Sequence, residues 1–172
     1  QIELGNPCAE LLESRNLEGS SKLPETLKVY IHNVENLSHS VGKQERVSAT
    51  HFRPSTSDRN RGMDQKPQKK KDELVRLLLQ EDPDVGTFTE VEDIQAAREL
   101  LSSHAQLKNK YELFLIEGND ERGIDILTFV RKSLPLRVVY ESYKTSTWME
   151  PVEKKVNPLF SRDIPVLSLF VR

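Results

Sequence analysis

Thirty-six consecutive residues, Ser38 to Glu73, contain only five apolar side chains: Val41, Val47, Ala49, Phe52 and Met63. A stretch so poor in apolar surface cannot offset the conformational entropy lost on ordering it. Any hydrophobic core must therefore be assembled from the segments on either side. The stretch carries nine Lys or Arg against five Asp or Glu, a net +4, whereas the rest of the chain is net −6. It also accounts for a hydrophobic content of only 36% in 172 residues. The composition predicts a long polar loop at about residues 38–70. It divides the chain into an N-terminal extension (1–26), a first strand, and a larger block, with one domain spanning 27–172.

Around that loop the apolar spacing is regular. Leu27-Lys28-Val29-Tyr30-Ile31-His32 alternates with period two and predicts a strand. Leu74, Leu77, Leu78 and Glu81 recur at helical spacing, widened by Val75 and Leu79, with Pro83 beyond the end. Val85 to Val91 predicts a second strand. Asp93 to Ala105 predicts a second helix with Ile94, Ala97, Leu100 and Leu101 on one face. Strands are predicted over 111–116, 123–131, 136–143 and 165–172, and a loop over 151–160. Two helices among about six strands imply α/β or α+β layering.

Several function classes fall away. No run of about 18 apolar residues exists to form a membrane-spanning helix. The single cysteine, Cys8, cannot form an internal disulfide or a structural zinc site. A net charge of −2 gives no overall electrostatic attraction for nucleic acid. The N-terminal residues do not have the pattern of a secretion signal.

The residues able to carry chemistry gather at two predicted strand ends. Asn33-Val34-Glu35 follows the first strand, and Glu90-Val91-Glu92 ends the second. In layered α/β folds, sites collect at the carboxyl ends of strands. Carboxylates on two adjacent strand ends suit a hard cation such as Mg²⁺, which takes oxygen ligands and keeps several waters. Solvated loop acids are the plainer reading of the same spacing. Lys69, Lys70 and Lys71 could steer an anionic substrate or meet nucleic-acid phosphates, or simply form a solvated surface. Trp148, Tyr140 and Tyr143 could stack on bases, or pack the sheet.

Four runs together resemble motifs of the endonuclease/exonuclease/phosphatase superfamily. They are Tyr30-Ile31-His32-Asn33-Val34-Glu35-Asn36-Leu37, Asp82-Pro83-Asp84-Val85-Gly86-Thr87-Phe88-Thr89-Glu90-Val91, Glu117-Gly118-Asn119-Asp120-Glu121-Arg122-Gly123-Ile124-Asp125, and Phe160-Ser161-Arg162-Asp163-Ile164-Pro165. They occur in the family's order and cover roughly Leu27 to Arg172. The resemblance implies part of a four-layered α/β sandwich, two facing β-sheets with outer helices, and Mg²⁺-dependent hydrolysis of a phosphate ester, with DNA or RNA among the substrates. It implies that Glu90 binds the metal with help from Glu35. Asn33 would orient phosphate or the attacking water, and Arg162 would support the site. Asp120, Arg122 and Asp125 would lie near the substrate.

The family's later motifs, which supply a phosphate-contacting histidine, an Asp-Asn pair and a terminal Asp-His pair, are not found. His32, His39, His51 and His104 stand at other positions. The resemblance therefore implies an N-terminal portion. The C-terminal half would come from the full-length protein or another chain, and little hydrolysis is expected without it. The family includes many exported enzymes, which tilts the expected location toward export. A non-catalytic half-domain that binds phosphate or a partner, and a nucleic-acid binder acting through the basic loop, are the alternative expectations.

Overall fold

The computed structural model describes residues 2–3, 11–13, 23–37, 68–118, 124–160 and 164–171. In chain order the elements are β1 (Ile2–Glu3), β2 (Leu11–Glu13), β3 (Val29–Leu37), α1 (Gln68–Glu81), β4 (Val85–Val91), α2 (Ile94–Ser102), β5 (Tyr111–Phe114), β6 (Asp125–Arg131), β7 (Leu136–Ser142), β8 (Thr147–Met149), β9 (Val156–Pro158) and β10 (Pro165–Val171). Mixed sheets with two helices make this an α/β-type fold.

The central sheet has the order β3-β4-β6-β5, with β3 parallel to β4 and the other pairs antiparallel. Helix α1 is the crossover between the parallel strands β3 and β4, the connection such a pair requires. Both helices pack on one face of this sheet. Leu74, Val75 and Leu78 of α1 and Ala96, Ala97, Leu100 and Leu101 of α2 share a core with Phe88, Leu127 and Phe129. Phe129 stands edge-to-face with Phe88 and with Tyr111, each at 5.0 Å. Full burial of each such side chain contributes roughly 1.5–3 kcal/mol.

The opposite face meets a second sheet, β10-β7-β2. Val85, Phe114 and Val130 pack against Leu136, Val138 and Tyr140 of β7. Tyr140 is fully buried, stacks on Phe114 at 5.7 Å, and donates its hydroxyl to the Ile126 carbonyl. Along β7, burial alternates with period two, as expected for a strand with one face on a core. A third small sheet joins β1, β8 and β9.

The structure departs from the sequence reading at the start of α1 and in the segment 151–160, and it settles which face of β3 is buried. Helix α1 begins at Gln68, so Lys69, Lys70 and Lys71 occupy its first turn instead of the polar loop. Gln and Lys are good helix formers, and α1 extends through them upstream of its apolar stripe. The remainder of the loop, residues 38–67, lies outside the described residues. The segment 151–160, read as loop, contains β9, which pairs with an unanticipated β8. These three-residue strands are too short for period-two alternation to reveal them. On β3, finally, Val29 and Ile31 are 62% and 73% exposed, while Val34 is buried with the helices. Among the described residues, no β3 side chain belongs to the core shared with the second sheet.

Candidate functional site

The carboxyl ends of β3 and β4 lie side by side, because the two strands are parallel and in register from Val29↔Val85 to Asn33↔Thr89. Beyond that point the regular pairing breaks. It resumes at Leu37↔Val91, with four residues on β3 spanning what two span on β4. Between β4 and β6 the register also shifts, from Thr89↔Ile126 to Val91↔Asp125. Glu90 is the extra residue of this bulge. Bulges of this kind re-aim side chains and are common beside active sites.

Both candidate carboxylates adopt left-handed backbone conformations: Glu35 has φ 51° and Glu90 φ 66°. A non-glycine residue there costs roughly 1–3 kcal/mol, and such residues cluster at functional sites. Local bonds hold the strain. The Asn33 side-chain oxygen accepts the Glu35 backbone N–H at 2.9 Å, a local turn of the kind Asn favours. The Glu92 N–H donates to the Leu37 carbonyl at 2.8 Å, tying the two strands together past the bulges. Asn33 and Glu35 are exposed, Glu90 is half-buried and Glu92 is buried.

Lys70 comes to this pole from the first turn of α1. Its Nζ lies 2.6 Å from Glu35 Oε2, with both side chains exposed. That first turn has no acidic residue, although a helix N-terminus favours negative charge and disfavours cations. The run Lys69-Lys70-Lys71 is thus set against the helix dipole, and Lys70 reaches the Glu35 carboxylate at the end of β3. Nothing in the sequence separates Lys70 from its two neighbours; only the docking of α1 beside β3 selects it.

Asp125 is buried at the start of β6 and its carboxylate accepts the Gly118 N–H at 2.7 Å. It thereby fastens the two ends of the 118–125 connection beside Glu90. Asp120, Arg122 and Arg162 lie outside the described residues, as do His39, His51 and Cys8. His32 stacks on Tyr30 at 5.9 Å, and His104 accepts the Gln106 N–H in the turn after α2. Tyr140 packs between the sheets, and Trp148 is partly exposed on β8.

The opposite pole is a knot of paired charges. Asp84 accepts the Lys28 N–H at 2.9 Å and the Arg131 Nε–H at 3.0 Å. Arg131 also donates to the Asp82 and Pro83 carbonyls. Asp82 meets Lys110 and Arg131, and its carboxyl is held below the usual range, first by the hydrogen bond from Lys110. Lys28 pairs with Glu81 at 3.0 Å. An open cleft of about 740 Å³ borders this knot, lined in part by Leu23, Ser133 and Leu134. These bonds explain structurally why Asp82-Pro83-Asp84 precedes β4: they clasp the start of β4 to β3 and to the end of β6.

The candidate pole fits a hard cation in donor type, since Glu90, Glu35 and Asn33 offer only oxygen. Among the described residues no three His, Cys, Asp or Glu side chains form a ready metal cage. Mg²⁺ does not require one, because it commonly binds through one or two carboxylates and keeps its waters. Glu90 stands half-buried at the end of β4, and Glu35 is engaged by Lys70. No helix among the described residues is long and apolar enough to cross a membrane. Comparison with known protein families, curated proteins and solved structures returned no match.

Proposed function

We propose that this chain carries the cation- and phosphate-binding pole of a Mg²⁺-dependent phosphoesterase of the endonuclease/exonuclease/phosphatase kind. The observation that carries the reading is the pair of strained carboxylates, Glu35 and Glu90, at the carboxyl ends of adjacent parallel strands. Glu90 would hold the cation. Asn33 would orient the phosphate or the attacking water, and Lys69, Lys70 and Lys71 would draw the anionic ester toward the pole. Mg²⁺, when bound, supplies polarisation of a phosphoryl oxygen.

A general base is also needed to activate water. His32, stacked on Tyr30, and His104, bonded within the turn after α2, are not in that role. The base would come from a complementary half, which would also complete the second sheet and add the outer helices of a four-layered sandwich. The test is Mn²⁺ binding, followed by water-proton relaxation, in the chain and in Glu90→Gln, alongside hydrolysis of bis(4-nitrophenyl) phosphate. Binding that Glu90→Gln abolishes, with little hydrolysis, supports the reading. Equal binding by both proteins defeats it.

A second reading, a non-catalytic half-domain that binds a partner, is favoured by one observation. Val29 and Ile31 leave an apolar strip of the central sheet uncovered, and such surface often marks an interaction site.

A further inference from the structure

We propose that β10 pairs with β10 of a second copy of this chain, antiparallel and centred on Ser168, so that two β10-β7-β2 sheets join into one. The inference goes beyond the function proposed above and does not depend on it. A complementary half that completes this sheet would take the same edge in place of the second copy.

Among the described residues β10 is the outer strand of its sheet, with β7 as its neighbour. It is seven residues long and pairs with β7 in unbroken register, from Pro165↔Ser142 to Val171↔Leu136. Proteins usually blunt such an edge with charges, bulges, an interior proline or a very short strand. β10 has none of these. No residue of Pro165–Val171 is charged, and its proline stands at the first position, where a strand tolerates it.

Burial along β10 is also incomplete on both faces. Five of its residues are Val, Leu or Phe, yet none of the seven is buried. Leu167 and Leu169 pack toward the core between the sheets and are only half-buried. Val166 and Phe170, on the outer face, are 39% and 46% exposed, and Ser168 lies half-buried between them. The Phe170 ring rests on the Arg137 guanidinium at 4.4 Å, which keeps it against the sheet. β7, with a strand on either side, buries every second residue fully. A strand beside β10 supplies the contacts that β10 lacks.

The order of residues favours a second copy as that strand. Val166-Leu167-Ser168-Leu169-Phe170 has the same pattern read in either direction. In antiparallel pairing about Ser168, Leu167 opposes the second copy's Leu169, and Val166 opposes its Phe170. Directly opposite residues share a face, and aromatic pairs with β-branched residues are favourable. The leucines therefore extend the inner core, and the Val–Phe pairs cover the outer face. No like charges meet, because the strand carries none. A slip of one residue would set the leucines against outer-face residues. The contact is isologous, so it closes at two copies.

Sedimentation equilibrium over a concentration series tests this on the full chain, with circular dichroism confirming that each variant folds. The unaltered chain should approach twice the chain mass. Ser168→Lys and Ser168→Glu each set like charges opposite one another at the centre of the pair, and each should weaken the dimer by about five-fold or more. Mixed in equal amounts, the two variants oppose a cation to an anion, and the dimer returns. Val152→Lys, on the exposed turn between β8 and β9, retains the dimer. Hydrogen exchange needs no variant: exchange along Pro165–Val171 should slow as chain concentration rises. A chain that is monomeric throughout leaves the edge to a strand of another protein and overturns the proposal. So do a mass that grows beyond two copies, a dimer indifferent to both Ser168 variants or lost in Val152→Lys, variants that do not recover on mixing, and exchange that ignores concentration.

Discussion

Gly86 offers the sharpest test of how the core is built. It is buried near the start of β4, with Tyr30 and Phe129 as its cross-strand partners. The Phe129 ring lies over the glycine. A methyl group at residue 86 would sit 2.7 Å from Phe129 Cε1 and closer still to Cε2 and Cζ. The ring cannot swing outward, because it is fully buried and braced by Phe88 and Tyr111, each at 5.0 Å. Overpacking of this kind costs about 1–3 kcal/mol, and disturbing two edge-to-face ring pairs adds roughly 0.5–1.5 kcal/mol for each. Against this, Ala restricts the unfolded chain more than Gly, a gain of about 0.4–1 kcal/mol. The clash prevails, so Gly86→Ala is expected to destabilise by about 2–4 kcal/mol. For a chain of this length that lowers Tm by roughly 4–16 °C.

Urea denaturation followed by circular dichroism measures it. Phe129→Leu makes room, so the double variant should lose at least about 1 kcal/mol less than the sum of the single losses. A Gly86→Ala protein within about 0.5 kcal/mol of the unaltered chain, or strict additivity, would refute the packing argument.

Other consequences can be checked in the same way. Glu90→Gly should stabilise the fold by up to about 1 kcal/mol, by relieving left-handed strain, while abolishing Mn²⁺ binding; differential scanning calorimetry and the relaxation titration read the two effects. Tyr111 donates its hydroxyl to the Pro83 carbonyl, and burial pushes its pKa up to about 12. Since the folded pKa lies above the unfolded value, its contribution is complete below about pH 10 and is lost as pH rises toward 12. Tyr111→Phe should flatten that alkaline limb of the stability profile. Arg131→Ala removes the guanidinium that ties Asp82, Pro83 and Asp84 together and should cost about 1–3 kcal/mol. Because the Asp82 carboxyl is depressed, its contribution holds above about pH 4 and fades as pH falls through its folded pKa. The acid limb should therefore be shallower in Arg131→Ala, as measured by urea midpoints from pH 2 to 6.

Legibility differed between the fold and the site. The strand at Val85–Val91 was readable to the residue, because β-branched and aromatic side chains lie between Pro83-Asp84 and the Asp93 cap of α2. Helix α2 was readable from its stripe, with Asp93 capping it by accepting the Ala96 N–H at 2.8 Å. The start of α1 was not, because lysines and glutamine carry no apolar period. The candidate residues Asn33, Glu35 and Glu90 are named from strand ends and motif resemblance. The left-handed backbones of Glu35 and Glu90 are not, since Glu has no intrinsic preference for that region and only the register shifts around β4 impose it.

What the sequence by itself determined is local: which segments form strands or helices, where they are punctuated, and that the core must be built outside Ser38–Glu73. Those properties follow from spacing and composition, which act over a few residues. What only the tertiary structure decided is which faces meet. The apolar side of β3, Val29 and Ile31, is exposed, while Val34 enters the core, because the helices cover one face of the strand and, among the described residues, none of the second sheet's core contacts falls on the other. Lys70 acquires Glu35 as a partner for the same reason. Side-chain contacts between distant segments depend on how elements dock, and no periodicity within either segment encodes that.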